Sequence, residues 1–159
     1  MFTVSMPPMN QDNAMDIFAF LQKQKGSFES FQIKIPLQNR GADKSSTAVK
    51  VVGSHSATDS TIALDGFTAS TTGVLKAGDL IKFAGHTKVY MVQSDIDSDG
   101  SGAATVLIEP GIVTTLADNE VVTMNQPDIT VYLTSEDIMY SVDRNSIFSI
   151  SFDVREVIT

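Results

Sequence analysis

Three aspartates at alternate positions, Asp95, Asp97 and Asp99, run into Gly100 within the stretch SDIDSDGSGAA, residues 94–104. The chemistry such a run could perform is calcium binding, since a hard cation takes closely spaced carboxylate oxygens. A calcium loop of the EF-hand type opens D-x-D-x-D-G and closes on a bidentate Glu at its twelfth position. Counted from Asp95 the twelfth residue is Val106, and the nearest glutamate, Glu109, comes three residues later. Its flanks, KVYMV (88–92) and TVLI (105–108), are β-branched and aromatic runs of strand length where an EF-hand needs helices. Asp and Gly also favour turns, because a short carboxylate bonds the nearby backbone and glycine accepts positive φ. The spacing therefore predicts a β-hairpin tip over residues 95–102, with a weak calcium loop of another type as the alternative.

Other candidate chemistry is thinner. His55 and His86 each sit in a polar turn without a second histidine four residues on, so helical zinc motifs are excluded and both are expected to be solvated. No serine lies in a Gly-x-Ser-x-Gly elbow, and a chain without cysteine has no thiol nucleophile or thiolate metal site. Asp79, Glu120 and Asp153 lie beside predicted turns or strand edges, where solvation accounts for them. No glycine cluster precedes a helix as a phosphate loop would. The expectation is a protein that is not an enzyme, with no catalytic residue, no cofactor-binding residue and no metal ligand.

Composition sets the frame for those residues. At 159 residues, 42% hydrophobic and 19% charged, the chain reads as one globular domain over 1–159. A net charge of −8, with Arg40, Arg144 and Arg155 scattered, excludes the basic footprint that nucleic-acid binding requires. No apolar run reaches the ~18 residues that span a bilayer as a helix. The opening residues have neither the basic start nor the apolar centre of a signal peptide.

The elements that must position everything else are mostly strands. One helix is predicted from about Asn10 to Lys25: Asn10, Asp12 and Asn13 are N-cap candidates, and Ala14, Ile17, Phe18 and Leu21 recur at helical spacing. Lys23 and Lys25 complement the dipole and Gly26 reads as the C-cap. Phe18 and Phe20 point to different flanks, so they share a broad apolar face or one meets another subunit. Strands are predicted at 2–6, 31–35, 49–52, 61–64, 80–83, 88–92, 104–108, 120–124, 129–134, 139–142 and 147–154, separated by Gly, Pro, Asp and Asn turns. The fold class is mainly β, a β-sandwich or small β-barrel of short antiparallel strands with one N-terminal α-helix. Residues 38–48 read as an aperiodic polar loop, too polar for its own core and long enough to be ordered by a neighbour.

Several stretches carry a resemblance. MPPM (6–9), IFAFL (17–21), GSF (26–28) and FQIKIP (31–36) resemble the N-terminal part of tailed-bacteriophage tail-tip proteins, with a strand, a helix of the "AFL" type, a glycine and a Phe-rich strand ending in proline. LKAGDLIKF (75–83), KVYMV (88–92) and LIEP (107–110) resemble a small β-barrel insertion of phage tail components, and FSISFDVREV (148–157) resembles their closing strand. The family is the distal tail, or baseplate hub, protein. The resemblance implies a barrel of about 49–127 inserted in a sandwich formed by 1–48 and 128–159. It further implies a virion structural protein of the tail, assembled in the bacterial host cytoplasm as a homo-oligomeric ring around the DNA channel. Its partners would be other tail proteins such as tail tube and hub, with no sequence-specific nucleic-acid binding and no membrane. The alternative from a different class is a β-sandwich binding module for carbohydrate or peptide, although Trp is absent and the tyrosines are only Tyr90, Tyr132 and Tyr140.

Overall fold

The computed structural model of the chain describes residues 1–44, 46–135 and 138–158. Ser45, inside the predicted loop 38–48, and Thr159, the last residue of the expected domain, lie outside the described residues. The fold is mainly β with one α-helix, as the patterning predicts. In chain order the elements are β1 (Phe2–Ser5), α1 (Gln11–Lys23), a 3-10 turn (Gly26–Phe28), β2 (Ser30–Lys34), β3 (Lys50–Val51), β4 (Thr61–Asp65), β5 (Leu80–Phe83), β6 (Tyr90–Val92), β7 (Ala104–Glu109), β8 (Val122–Thr123), β9 (Asp128–Leu133), β10 (Met139–Val142) and β11 (Phe148–Glu156). Every predicted strand is present, with ends displaced by at most two residues. The chain forms two compact units, residues 1–33 with 130–157, and residues 34–129 with Ile158.

In the first unit β11 is the central strand. It pairs antiparallel with β1 on one side (Phe2↔Val154 to Ser5↔Ser151). On the other it pairs with β10 (Met139↔Ser151 to Val142↔Phe148) and then β9 (Val154↔Leu133), and β2 lies beyond β9. Helix α1 forms because Asn10 caps it, its Oδ1 accepting from the Asn13 amide at 3.0 Å, with Asp12 in the first turn and Lys23 in the last. It stops two residues before the predicted end: Gln24 is the C-cap, and both Lys25 and Gly26 turn left-handed (φ 53° and 63°). Ala14 and Leu21 are buried and Ile17 is half-buried. Phe18 meets Tyr140 edge-on at 5.2 Å between ring centroids, and Phe20 meets Phe31 at 5.4 Å. The two phenylalanines thus occupy separate flanks, each with its own aromatic partner.

The second unit is a nearly closed barrel with strand order β3-β4-β7-β6-β5-β8. Closure comes from β3 meeting the start of β8: Lys50 bridges Val121, the Val51 amide donates to Glu120 O at 2.9 Å, and the Val122 amide donates to Val49 O at 3.0 Å. Alternation places one face of every strand inside. Val106 and Ile108 of β7 and Ile62 and Leu64 of β4 are buried, while Thr105, Leu107 and Glu109 face out. They join Val49, Val74, Leu75, Ile81, Phe83, Tyr90, Val92, Ile112, Leu116 and Met124 in one continuous core.

Loop 38–48 departs from expectation. Asn39 is buried and stands in for a strand neighbour of β5, its Nδ2 donating to Leu80 O at 2.8 Å and its Oδ1 accepting from Leu80 N at 2.9 Å. Ala42 N donates to Gly73 O, and Asp43 accepts from the Thr68 amide and hydroxyl. The side chains of Asn39, Arg40 and Asp43 thus find partners within residues 34–129.

Leu21, 1% exposed, is the anchor of α1. Leu21→Ala should cost about 2–5 kcal/mol in chemical denaturation, as truncation of a buried leucine does. A loss within the ~0.5 kcal/mol usual for surface substitutions would show that α1 does not pack on this face.

Candidate functional site

Asp95, Asp97 and Asp99 do not sit on a tight hairpin tip. β6 and β7 do pair (Met91↔Glu109, Val92↔Ile108), but Ala104 to Leu107 have already turned to pair with β4. The residues between cross the barrel as a strap. Ile96 is buried and bridges Leu75, the Ser98 amide donates to Thr71 O at 3.0 Å, and the Ser70 amide donates to Asp99 O at 2.7 Å. Local spacing predicts a turn but carries no sign of this pairing with residues 70–77, which lie 18 to 29 positions back.

The three carboxylates fasten the strap. Asp95 accepts from the Ala77 amide at 3.0 Å and from Lys76 Nζ at 2.9 Å; Asp97 accepts from the Gly73 amide at 2.7 Å. Asp99 accepts from the Ser101 hydroxyl and amide at 2.7 and 2.8 Å and from the Ala103 amide at 2.9 Å. Each carboxylate is turned to its own donors, so the oxygens do not converge on one point. Among the described residues no group of three or more His, Asp or Glu is placed to hold a metal ion. Bonds from the Ala77 amide and the Lys76 ammonium hold the Asp95 carboxyl below its usual range, and bonds from Ser101 and the Ala103 amide do the same for Asp99. Gly102 follows with φ 83°, and a Cβ there would meet Phe67 O at 2.3 Å, so only glycine closes this turn.

The other carboxylates and histidines correct the solvated reading. Asp79 is 2% exposed, and its two oxygens accept from three backbone amides, Arg40 at 2.8 Å and Gly41 and Lys76 at 3.0 Å each. Gly41 belongs to the same latch, since a Cβ there would meet Val74 O at 2.1 Å. Glu120 accepts from the Gly85 amide at 2.7 Å, and Asp153 from the Thr3 hydroxyl at 2.6 Å. His55 Nε2 accepts from the Ala63 amide at 3.3 Å. His86 is buried, with Nδ1 2.7 Å from the Tyr90 hydroxyl and Nε2 3.0 Å from the Thr114 hydroxyl. A hydroxyl so close to an imidazole resembles a general-base pair, but Tyr90 rather than a carboxylate holds the far nitrogen, so a charged orienting group is missing. The rings of Phe83, His86 and Tyr90 stack into the core at 5.4 to 5.8 Å, and that aromatic spacing was the available sign of burial.

What these polar groups accomplish is to fix the loops between barrel strands; they bring no reactive pair to a shared hollow. The barrel is the part of the chain that matches a known family. The model of "Distal tail protein pb9, B domain" matches residues 39–126, more than half of the chain. No curated protein matches the chain.

Three tests follow from the strap and latch. Asp97→Asn keeps an oxygen for the Gly73 amide, so it should leave the melting temperature unchanged, and calorimetry with calcium should show no micromolar isotherm; a saturable isotherm lost in this variant would restore the calcium reading. Asp79→Ala should cost at least the ~1–3 kcal/mol of one buried unsatisfied donor, since it strands the buried Gly41 amide and removes the acceptor of the part-buried Arg40 and Lys76 amides. Acid sensitivity has a defined sign. The folded-state carboxyls of Asp95 and Asp99 lie below 3.8, so their contribution is present above that pH and is lost as pH falls through the folded values. The double change to Asn should flatten stability against pH below about 4.

Proposed function

The chain belongs to the distal tail protein family of tailed phages, with a structural role in the tail, and from that premise we propose that it forms a homo-oligomeric ring at the tail tip or baseplate around the DNA channel. The observation that carries the reading is the family match over the barrel, residues 39–126. In this reading residues of about 49–127 are a barrel inserted into a scaffold formed by 1–48 and 128–159. Its partners are further copies of itself and other tail proteins such as tail tube and hub. The protein is a virion component assembled in the host cytoplasm, and it acts by shape and contact rather than by catalysis.

Two physical features support it. A net charge of −8 suits the wall of a DNA passage, because like charge lets the duplex slide without being held. The barrel closes on itself and so has few strand edges to offer, whereas the sheet of residues 1–33 and 130–157 ends in the open strands β1 and β2. Exposed edges are a hazard in a monomer and a means of joining neighbours in an assembly.

Antibody fragments against the barrel, imaged by electron microscopy on purified phage particles, should label the end of the tail away from the head. Particles that contain the chain elsewhere, or infectious particles that lack it, would overturn the proposal.

A further inference from the structure

The two units differ in how well they bury their apolar side chains. Among the described residues of 34–129, buried apolar side chains outnumber exposed large ones several-fold. In residues 1–33 and 130–157 the exposed large apolar side chains are as numerous as the buried ones. Most of them are Met, Phe or Tyr, types enriched at protein interfaces.

Two features of this unit match one another. One is convex. β10 and the start of β11 form a two-stranded hairpin whose Met139, Tyr140 and Val142 are 63%, 59% and 48% exposed. Its turn is firmly built, with Asp143 Oδ1 accepting from the Asn145 and Ile147 amides at 2.8 and 2.9 Å, and it presents exposed Arg144. The other is concave. A hollow of about 350 Å³ between α1 and β2 is lined by Ile17, Phe20, Phe31, Phe152 and Met6, with Asp16 the one carboxylate in its lining. Among the described residues neither Asp16 nor Arg144 has an ion-pair partner.

A hairpin cannot fill the hollow of its own chain. Tyr140 packs on Phe18, on one flank of α1, while the hollow follows Phe20 on the other. Two helix positions turn the side chain by about 200°. We propose that the hairpin of one copy of this chain docks in the α1–β2 hollow of the next, its apolar side chains against Phe20 and its Arg144 against Asp16. Each helix is then clasped between its own hairpin and its neighbour's. The contact uses two different patches, so it repeats head to tail and closes into a ring when the rotation permits. This inference rests on the ring reading above and supplies its contact.

The chain has no cysteine, which makes a disulfide test clean. Asp16→Cys and Arg144→Cys, both at exposed positions, are made singly and together in the full chain and oxidised at high protein concentration. Mixing the two single variants should give a covalent dimer that neither gives alone, and the double variant should give a ladder ending at a fixed size. A double variant that stays monomeric, while the unmodified chain forms a defined oligomer by light scattering, overturns this contact and leaves the ring. A ladder without an upper end keeps the contact and overturns the closed ring. Absence of both cross-link and oligomer overturns both. Equal melting temperatures for variants and parent exclude misfolding as the cause.

Discussion

The barrel depends on one short seam. β3 is only Lys50–Val51 and β8 only Val122–Thr123, yet where β3 meets the start of β8, around Val121, the sheet becomes a tube. Without that pairing both strands would be edges, and Val51 and Val122, each 1% exposed, would lose the wall that covers them. Strand closure is the one solution that removes edges rather than shielding them. The polar loops serve this seam and its neighbours. Asn39 pairs with Leu80 as a strand would, Asp79 gathers three amides, and the Asp95–Asp99 strap is pinned to residues 70–77. Carboxylates that look like ligands in the sequence serve instead as acceptors for backbone amides that fasten the loops.

The unit of residues 1–33 and 130–157 follows the opposite logic. Its sheet is open, its helix is amphipathic, and its hairpin holds apolar residues in solvent. A unit of about sixty residues buries a smaller share of its surface than a larger one. The difference is therefore physical: the barrel sheet nearly closes on itself, and the sheet and helix keep open strands and exposed apolar side chains.

How much of this was legible in the sequence depended on the range of each interaction. Alternating Ile62 and Leu64, or Val106 and Ile108, announce a strand locally, and Asn10 with Lys23 announce the ends of a helix. Fold class and strand positions were readable for that reason, as was the resemblance to the distal tail family. Burial of Asp79, His86 and Asn39 was not, because their partners are fixed by tertiary pairing. The amides of Arg40 and Gly41 that meet Asp79 lie almost forty positions away, and Thr114 lies 28 from His86. Polar residues beside glycine or among other polar residues look solvated until the chain returns to cover them. The strap was misread as a tip for the same reason: Asp97 faces Gly73, not its own turn.

Hydrogen exchange compared between the free chain and assembled tails tests the central claim most directly, since it reports protection residue by residue. The account predicts that assembly adds protection at 139–147, along α1 and at 30–34, and leaves barrel strands β3 to β8 unchanged. New protection confined to the barrel, with 139–147 exchanging as fast as before, would contradict it.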